Sequence, residues 1–177
     1  MIWAPEARPL PTPPKESDEY RTPPYLFRYA SHLYGHIDVD LAATPENALC
    51  DRFFTRDDSA FDFRWHLHGV RGWCNPPYSN IDPWVDKAIM EAEDGFHTIM
   101  LLPSLNGDSR DAVVLRNASE LTLIIGRISF IRPSGKITKG NNRGSCLVSF
   151  NQRVKSISTP RMLHKFRDNI KDEHPDG

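Results

Sequence analysis

The segment GVRGWCNPPYSNIDPWVDKAIMEAEDG, residues 69–95, decides the fold, because it joins an apolar strand, a stiff polar corner and an amphipathic helix without a gap. GVRGWC has the length and apolar content of a strand. Asp82 is typical of a helix cap, Pro83 of a first helical turn, and Gly95 of a helix end. Apolar side chains at helical spacing predict the buried face of this helix: Trp84, Val85, Ala88, Ile89 and Ala92.

The chain on either side of this unit alternates between helix and strand. HTIMLLP, residues 97–103, is a continuous apolar run of the kind that is buried on both faces in a parallel sheet. Capping residues and periodicity predict further helices, the first with Thr22 as its cap, at residues 22–35, 44–52 and 109–119. Apolar runs predict further strands at residues 36–42, 53–54, 120–126, 127–131 and 145–150.

This order of elements predicts the α/β class, with three layers, a mostly parallel central sheet and an antiparallel C-terminal hairpin. In such sheets ligands bind at the carboxyl ends of the strands. At 177 residues the chain suits one domain. We expect a flexible proline-rich arm at residues 1–19, a single domain at 20–160 with a basic hairpin near 131–145, and a tail at 161–177.

The composition excludes several classes of protein. The chain is 39% hydrophobic and 25% charged, and no apolar run approaches the roughly 20 residues that span a bilayer. The start of the chain is rich in proline and lacks the apolar core of a signal peptide. Three scattered cysteines do not suit a disulfide framework, and the paired histidines have no obvious third ligand. We therefore expect a soluble protein of the reduced cytoplasm, without a metal site.

Charge is distributed unevenly along the chain, although the net charge is only -1. Residues 121–167 contain ten Lys or Arg and no Asp or Glu, whereas residues 1–120 carry 19 acids and 11 bases. A one-sided basic segment is what binding to a phosphate backbone requires, although a solvated face balanced by neighbouring acids would give the same count. We favour nucleic-acid contact, with RPSGKITKGNNRG (132–144) projecting as a loop that grips phosphate.

The corner Asn75-Pro76-Pro77-Tyr78 lies between strand and helix, where α/β enzymes place their chemistry. Its two prolines fix φ near −65°, so the corner is stiff before any ligand binds. The Asn75 side-chain carbonyl and the Pro76 main-chain carbonyl can accept hydrogen bonds from one amino group, and Tyr78 offers a flat face for stacking. These residue types predict a clamp for a planar ring that bears an exocyclic amine. The alternative is a rigid turn whose tyrosine caps the core.

The same four residues are the signature of S-adenosylmethionine-dependent methyltransferases that act on amino groups, and more of the chain resembles the phage-type (Dam-like) DNA N6-adenine methyltransferases. The resemblance covers most of residues 20–150 in the family's order. Its blocks are TPPYLF (22–27), DLAATPENALCDRFFT (40–55), WCNPPYSNIDPWVDKA (73–88), IMLLP (99–103) and GRISF (126–130). The resemblance implies a Rossmann-like methyltransferase domain that flips an adenine out of double-stranded DNA and methylates its N6 amino group in the cytoplasm of a bacterium or a phage-infected host cell.

The resemblance also implies roles for individual residues at the corner, and the charge of the basic loop predicts contacts with DNA. Asn75 and the Pro76 carbonyl would bind the target amino group, Pro77 would complete the stiff corner, and Tyr78 would stack on the flipped base. Residues expected to contact DNA lie in and beside the basic loop: Arg127, Arg132, Lys136, Lys139, Asn141 and Arg143.

The cosubstrate would lie at the end of the first strand. Asp40 would bind its charged amino group directly or through water, and the small side chains of Ala42 and Ala43 would let the backbone approach it. The alternative for Asp40 is a strand-end carboxylate that caps the next helix. This chain lacks the glycine-rich turn that many methyltransferases carry at this position.

Two other segments would complete the cosubstrate site. The stretch from Thr22 to Phe27, which includes Pro23, would cover the methionine part of the ligand. Asp58 would meet the adenosine part, with Asp57 as the rival residue.

Rival functions share the same corner. One is methylation of an amino group in RNA or in a protein glutamine, and the other is a catalytically inactive protein that binds nucleic acid on a methyltransferase scaffold. The basic segment favours a nucleic acid over a protein, and the intact corner favours an enzyme over a binding protein. For the DNA target we expect a short palindrome, with GATC as the candidate.

Overall fold

The computed structural model describes residues 15–140 and 142–152 in full, together with the backbone of residues 161–164. These residues form a mixed α/β protein around one sheet of seven strands. The helices are α1 (Pro24–Tyr34), α2 (Asp82–Glu93) and α3 (Ser109–Asn117). The strands are β1 (Val39–Asp40), β2 (Arg52–Phe53), β3 (Arg71–Cys74), β4 (His97–Pro103), β5 (Glu120–Ile125), β6 (Ser145–Phe150) and β7 (Arg161–His164).

The strand order is β2-β1-β3-β4-β6-β5-β7. β6 runs antiparallel to both of its neighbours, β4 and β5, and the other neighbouring pairs are parallel. The sheet is therefore mostly parallel, as the sequence predicts. Because β1 and β3 are parallel neighbours, their carboxyl ends meet at the same edge of the sheet, and the candidate site lies there.

Two hydrophobic clusters follow the alternation of side chains along the central strands. On β4, Met100 and Leu102 belong to the cluster that contains the buried residues of α2 and α3. Ile99 and Leu101 belong to the cluster that contains those of α1. Successive side chains of a strand point to opposite faces, so α1 covers one face of the sheet and α2 and α3 cover the other. Burial of each such side chain contributes about 1.5–3 kcal/mol.

The ends of α1 and α2 agree with the sequence to within one residue, whereas α3 ends two residues before the predicted end. Gly35 and Gly95 follow α1 and α2 with φ of 91° and 87°, a left-handed conformation that favours glycine. The predicted caps are each wrong by one position. Pro23, not Thr22, is the N-cap of α1, and Ile81 precedes α2, which leaves Asp82 as its first helical residue.

The helix predicted at residues 44–52 is wrong. The chain makes only a turn there, in which the Asn47 side chain accepts the Thr44 N–H at 2.7 Å. The Asp40 carboxylate accepts a hydrogen bond from the Leu49 N–H at 3.1 Å. The Asp40 side chain thus occupies an amide group that a helix would bond to the Pro45 carbonyl, which is how short polar residues compete with helix formation.

The strand predicted at residues 127–131 is also wrong. β6 already has β4 on one side and β5 on the other, so neither edge is free for this segment. Ile131 instead makes isolated antiparallel bridges with Arg21 and Ile137. At the far edge of the sheet, β7 pairs in parallel with β5, which brings residues 161–164 of the expected tail into the sheet.

Candidate active site

A cavity of about 540 Å³ opens where β1 and β3 end. Asp40 and Trp73 are register partners on these strands, and the Leu41 N–H donates to the Trp73 carbonyl at 2.8 Å. Beyond this pair the two strands separate. β1 continues into residues 41–49, and β3 continues into the Asn75–Tyr78 corner. The cavity lies in this crevice, and its volume is within the range of about 300–1,000 Å³ that is usual for small-molecule sites.

The cavity gathers most of the residues that the sequence proposes for the cosubstrate, together with part of the corner. Its wall includes Thr22, Asp40, Ala42, Ala43, Asn75 and Pro77. Pro23 and Phe27 lie outside this wall: Pro23 is buried at the start of α1, and Phe27 packs edge-to-face on Trp73 with ring centroids 5.7 Å apart.

Asp40 is the most deeply buried carboxyl group of the cavity wall. Its Oδ1 accepts the Ala42 N–H at 3.3 Å and its Oδ2 accepts the Leu49 N–H at 3.1 Å. Burial raises the pKa of Asp40 to about 6, and the two backbone hydrogen bonds oppose this rise. The carboxylate therefore fixes the turn after β1, as a structural carboxylate would. It also keeps free lone pairs on a group that changes charge near neutral pH.

Asp58 and its rival Asp57 are exposed and lie outside the cavity wall. Their backbone N–H groups donate to the Thr55 hydroxyl at 3.1 Å and 3.2 Å, and this turn presents Thr55 and Arg56 to the cavity instead.

Two aromatic residues that sequence reasoning did not assign to the site form part of the wall. Phe61 and Trp84 pack with ring centroids 4.6 Å apart and an interplanar angle of 63°. The helical periodicity predicts Trp84 on the buried face of α2, and it gives no sign of a ligand there. Only the structure marks Phe61 as a site residue, through its exposure: 39% of this large apolar residue is accessible.

Charged residues of the wall are predominantly acidic. They comprise four carboxylates and two guanidinium groups, namely Asp18, Glu19, Asp40 and Glu46 against Arg21 and Arg56. A cavity with this excess of carboxylates is complementary to a ligand of net positive charge.

The Asn75–Tyr78 corner is held by the chain segment that precedes α1. The Asn75 Nδ2 group donates to the Tyr20 carbonyl at 3.0 Å, which leaves the Asn75 Oδ1 as the acceptor for another partner. At the other end, the Ser79 N–H and hydroxyl both donate to the Asp18 carboxylate, at 3.0 Å and 2.6 Å. The Asn80 N–H donates to the Pro77 carbonyl and closes the turn into α2.

Tyr78 packs into the protein and lines a second, small cavity of about 40 Å³ together with Asn75, Pro76 and Phe130. Its ring meets Phe130 edge-on, with centroids 6.3 Å apart and an interplanar angle of 89°. Burial raises the pKa of Tyr78 above its usual range. The small cavity is close to the roughly 30 Å³ that one water molecule occupies in the liquid, so its walls must separate before a base can enter.

Backbone hydrogen bonds order the described part of the basic loop between β5 and β6. The Thr138 N–H donates to the Phe130 carbonyl at 2.8 Å, and the Arg132 N–H donates to the Lys136 carbonyl at 2.9 Å. Ile137, between these bonds, is 65% exposed. Five of the six residues expected to contact DNA are exposed: Arg127, Arg132, Lys136, Lys139 and Arg143. The sixth, Asn141, lies outside the described residues.

One cluster of possible metal ligands occurs in the described part of the chain. His66, Glu91 and Asp94 bring their ligand atoms within 4.8 Å of one another. Lys87 Nζ lies 2.7 Å from Glu91 Oε1, and Arg64 Nη1 lies 2.5 Å from Asp94 Oδ2. Each carboxylate already has a cationic partner, so the charges of this cluster are balanced without a metal. The absence of a metal site stays a prediction.

A family model described as DNA N-6-adenine-methyltransferase (Dam) matches residues 11–173. A DNA N-6-adenine-methyltransferase of Escherichia phage T1 is 33% identical over 152 residues, which cover 77% of this chain and 63% of that protein. One of Haemophilus phage HP1 (strain HP1c1) is 31% identical over 147 residues, which cover 81% of this chain and 84% of that protein. The chain thus spans less than two thirds of the phage T1 protein. None of the described helices is long and apolar enough to cross a membrane.

Proposed function

The chain belongs to the DNA N-6-adenine-methyltransferase (Dam) family, and from this premise we propose that it transfers a methyl group from S-adenosylmethionine to the N6 amino group of adenine in double-stranded DNA. The observation that carries the proposal is that Asp40 and Asn75 line one cavity at the carboxyl edge of the sheet. Asp40, which suits a cationic cosubstrate, and Asn75, which suits the amino group that accepts the methyl, thereby line the same cavity. We infer that the domain is a Rossmann-like methyltransferase fold.

The cavity fits the chemistry of S-adenosylmethionine. When bound, this cosubstrate supplies a methyl group on a sulfonium ion, an electrophile that an amine can attack without a covalent enzyme intermediate. Asp40 would hold the cosubstrate's amino group, and the excess of carboxylates in the wall suits its positive charges. Phe61 and Trp84 offer aromatic surface for its adenine ring, a role that the sequence reasoning gave to Asp58. Thr22, Ala42 and Ala43 would line its amino-acid end.

The corner would bind the target base. The Asn75 Oδ1 and the Pro76 carbonyl would accept the two hydrogens of the N6 amino group, which turns the nitrogen lone pair toward the methyl group. Pro77 keeps these acceptors in place because its ring restricts the backbone. Tyr78 would stack on the base once the small cavity opens.

The basic loop would contact the phosphates on either side of the flipped adenine. Arg127, Arg132, Lys136, Lys139 and Arg143 are exposed and suited to charge-assisted contacts. We propose a short palindromic target with GATC as the first candidate, and action in the cytoplasm of a bacterium or a phage-infected cell.

The test is transfer of a tritiated methyl group from S-adenosylmethionine to unmethylated plasmid DNA, followed by mapping of the modified adenines. RNA and a glutamine-containing protein serve as rival acceptors in parallel reactions. We expect label in the DNA alone, at N6 of adenine and within one short sequence. Label in RNA or protein, or none in any acceptor, would contradict the proposal.

Asn75→Ala tests the chemistry of the corner within this assay. We expect methyl transfer to fall below detection while S-adenosylmethionine binding, measured by calorimetry, stays within about threefold, because Asn75 acts on the acceptor. Asn80→Ala is the matched control, since it removes an exposed carboxamide two residues after the corner and leaves the backbone bond to Pro77 intact. Retained turnover in Asn75→Ala would exclude the assigned role.

A further inference from the structure

The short segment before α1 holds both ends of the Asn75–Tyr78 corner. Asp18 accepts two hydrogen bonds from Ser79, the residue that follows the corner, from its N–H at 3.0 Å and from its hydroxyl at 2.6 Å. Tyr20, two residues further along, accepts the Asn75 side-chain N–H at 3.0 Å. The contacts join residues about 60 positions apart in the chain, so they belong to the tertiary structure and not to the motif.

These contacts bear on methyl transfer because the two ends of a carboxamide are chemically different. Only the Asn75 Oδ1 can accept a hydrogen bond from an amine, and the Nδ2 contact with Tyr20 turns that oxygen away from the segment. Two prolines stiffen the corner internally, but a stiff corner can still pivot as a unit. Hydrogen bonds at Asn75 and at Ser79 together prevent this rotation of the corner.

Asp18 is itself held from both sides. It lies in the 3-10 helix Glu16–Glu19, where its carboxylate accepts the Lys15 N–H at 3.3 Å and its N–H donates to the Lys15 carbonyl at 2.8 Å. Three residues later, Arg21 exchanges two backbone hydrogen bonds with Ile131, at 2.7 Å and 3.1 Å. The segment is thereby fixed between the corner and the base of the basic loop.

We propose that Asp18 is a positioning residue of the methyltransferase: through Ser79 it fixes the orientation of the corner, so that Asn75 presents its Oδ1 to the target amino group. The inference rests on the proposed function. Asp18 acts here through Ser79, without contact with the reacting atoms. A misplacement of about 1 Å can cost about 100-fold in rate, so two hydrogen bonds at the surface can matter more for turnover than for stability.

The experiment measures kcat and the KM for DNA in the methyl-transfer assay, the affinity for S-adenosylmethionine by calorimetry, and the fold by circular dichroism. Asp18→Ala should lower kcat by about 10- to 100-fold. Its cosubstrate affinity should equal that of Asp18→Asn, because both variants lose the same carboxylate of the cavity wall. Asp18→Asn should recover most of the rate, because a carboxamide can accept the Ser79 N–H and donate to the Ser79 hydroxyl. The matched control is Asp86→Ala, which removes an exposed carboxylate from α2 and should leave kcat unchanged.

Ser79→Ala tests whether Asp18 acts through Ser79. It removes one of the two hydrogen bonds, so kcat should fall less than in Asp18→Ala, and the double variant should be no slower than Asp18→Ala alone. An active wild type with unchanged or raised kcat in Asp18→Ala would overturn the inference and leave the proposed function standing. Equal losses of kcat in Asp18→Ala and Asp18→Asn would also overturn the inference. Additive losses of kcat in the double variant of Asp18→Ala and Ser79→Ala would do the same. A wild-type protein without methyl-transfer activity would overturn both the inference and the proposed function.

Discussion

The affinity for S-adenosylmethionine should fall when the solution is acidified from pH 7 to pH 5, because Asp40 loses its charge in this range. Its pKa is raised to about 6 by burial. The ionised form, which suits the cosubstrate's ammonium group, makes up about nine tenths at pH 7 and about one tenth at pH 5. Apparent affinity follows the fraction of the binding-competent form, so the dissociation constant should rise about tenfold. The α-amino group of a chain terminus has a pKa near 7.7–8.0, and the α-amino group of the cosubstrate likewise stays mostly protonated from pH 5 to pH 7.

Calorimetry at pH 5, 6 and 7, in buffers of different ionisation enthalpy, measures both the affinity and the protons exchanged. Binding at pH 6 should release about half a proton per ligand, because the cosubstrate's positive charge lowers the pKa of Asp40. No histidine occurs among the described residues of the cavity wall, so no imidazole of that wall should contribute. 5′-Methylthioadenosine, which lacks the amino acid part, is the control ligand and should bind with the same affinity at all three values.

The same shift fixes the sign of the effect on stability. Because the folded protein holds the Asp40 proton more tightly than the unfolded chain does, the contribution of this group to the free energy of unfolding is fully present below the unfolded pKa of 3.8 and is lost as the pH rises through about 6. Bound cosubstrate should offset the loss at pH 7. An affinity that stays level or improves from pH 7 to pH 5 would refute the assignment of Asp40 to the ammonium group.

Lys136→Ala and Arg143→Ala should each weaken DNA binding and reduce the salt slope of log K by about one; an unchanged slope in fluorescence anisotropy titrations would exclude phosphate contacts by this loop. Phe61→Ala should weaken S-adenosylmethionine binding about 5- to 150-fold and leave the KM for DNA unchanged, since it removes about 1–3 kcal/mol of stacking. Equal cosubstrate affinity in calorimetry would exclude Phe61 from the site. Gly72→Ala should lower the free energy of unfolding by about 1–3 kcal/mol, because its Cβ would lie 2.8 Å from the buried Phe96 ring; a urea midpoint equal to that of the wild type would contradict this steric argument.

Local patterns in the sequence are sufficient where the signal for an element lies within the element itself. The strand before the corner and the helix after it occur as predicted, as β3 and α2. HTIMLLP forms β4 with the predicted bounds. The glycines after α1 and α2 end their helices because a positive φ suits a residue without a Cβ.

The errors arise where a distant group competes for the backbone or for an edge. The expected helix at 44–52 gives way to a turn, because Asp40 accepts the Leu49 N–H from the end of a neighbouring strand. The expected strand at 127–131 finds both edges of β6 occupied. On α2, Lys87 and Glu91 are buried outside the apolar face that the sequence predicts, because they pair with each other and Glu91 accepts the Trp65 N–H at 2.9 Å. None of these partners can be identified from periodicity.

The sequence by itself determined the family, the mostly parallel α/β sheet and the position of the Asn75–Tyr78 corner at a strand end, because proline restriction and hydrophobic periodicity act over a few residues. Only the tertiary structure decided what surrounds that corner. Parallel pairing of β1 with β3 brings Asp40 to the cavity that Asn75 lines, and the segment before α1 places Asp18 and Tyr20 against both ends of the corner. The orientation of the Asn75 carboxamide depends on a hydrogen bond across 55 residues. Residues so far apart in the chain meet only when the sheet and its covering helices pack together.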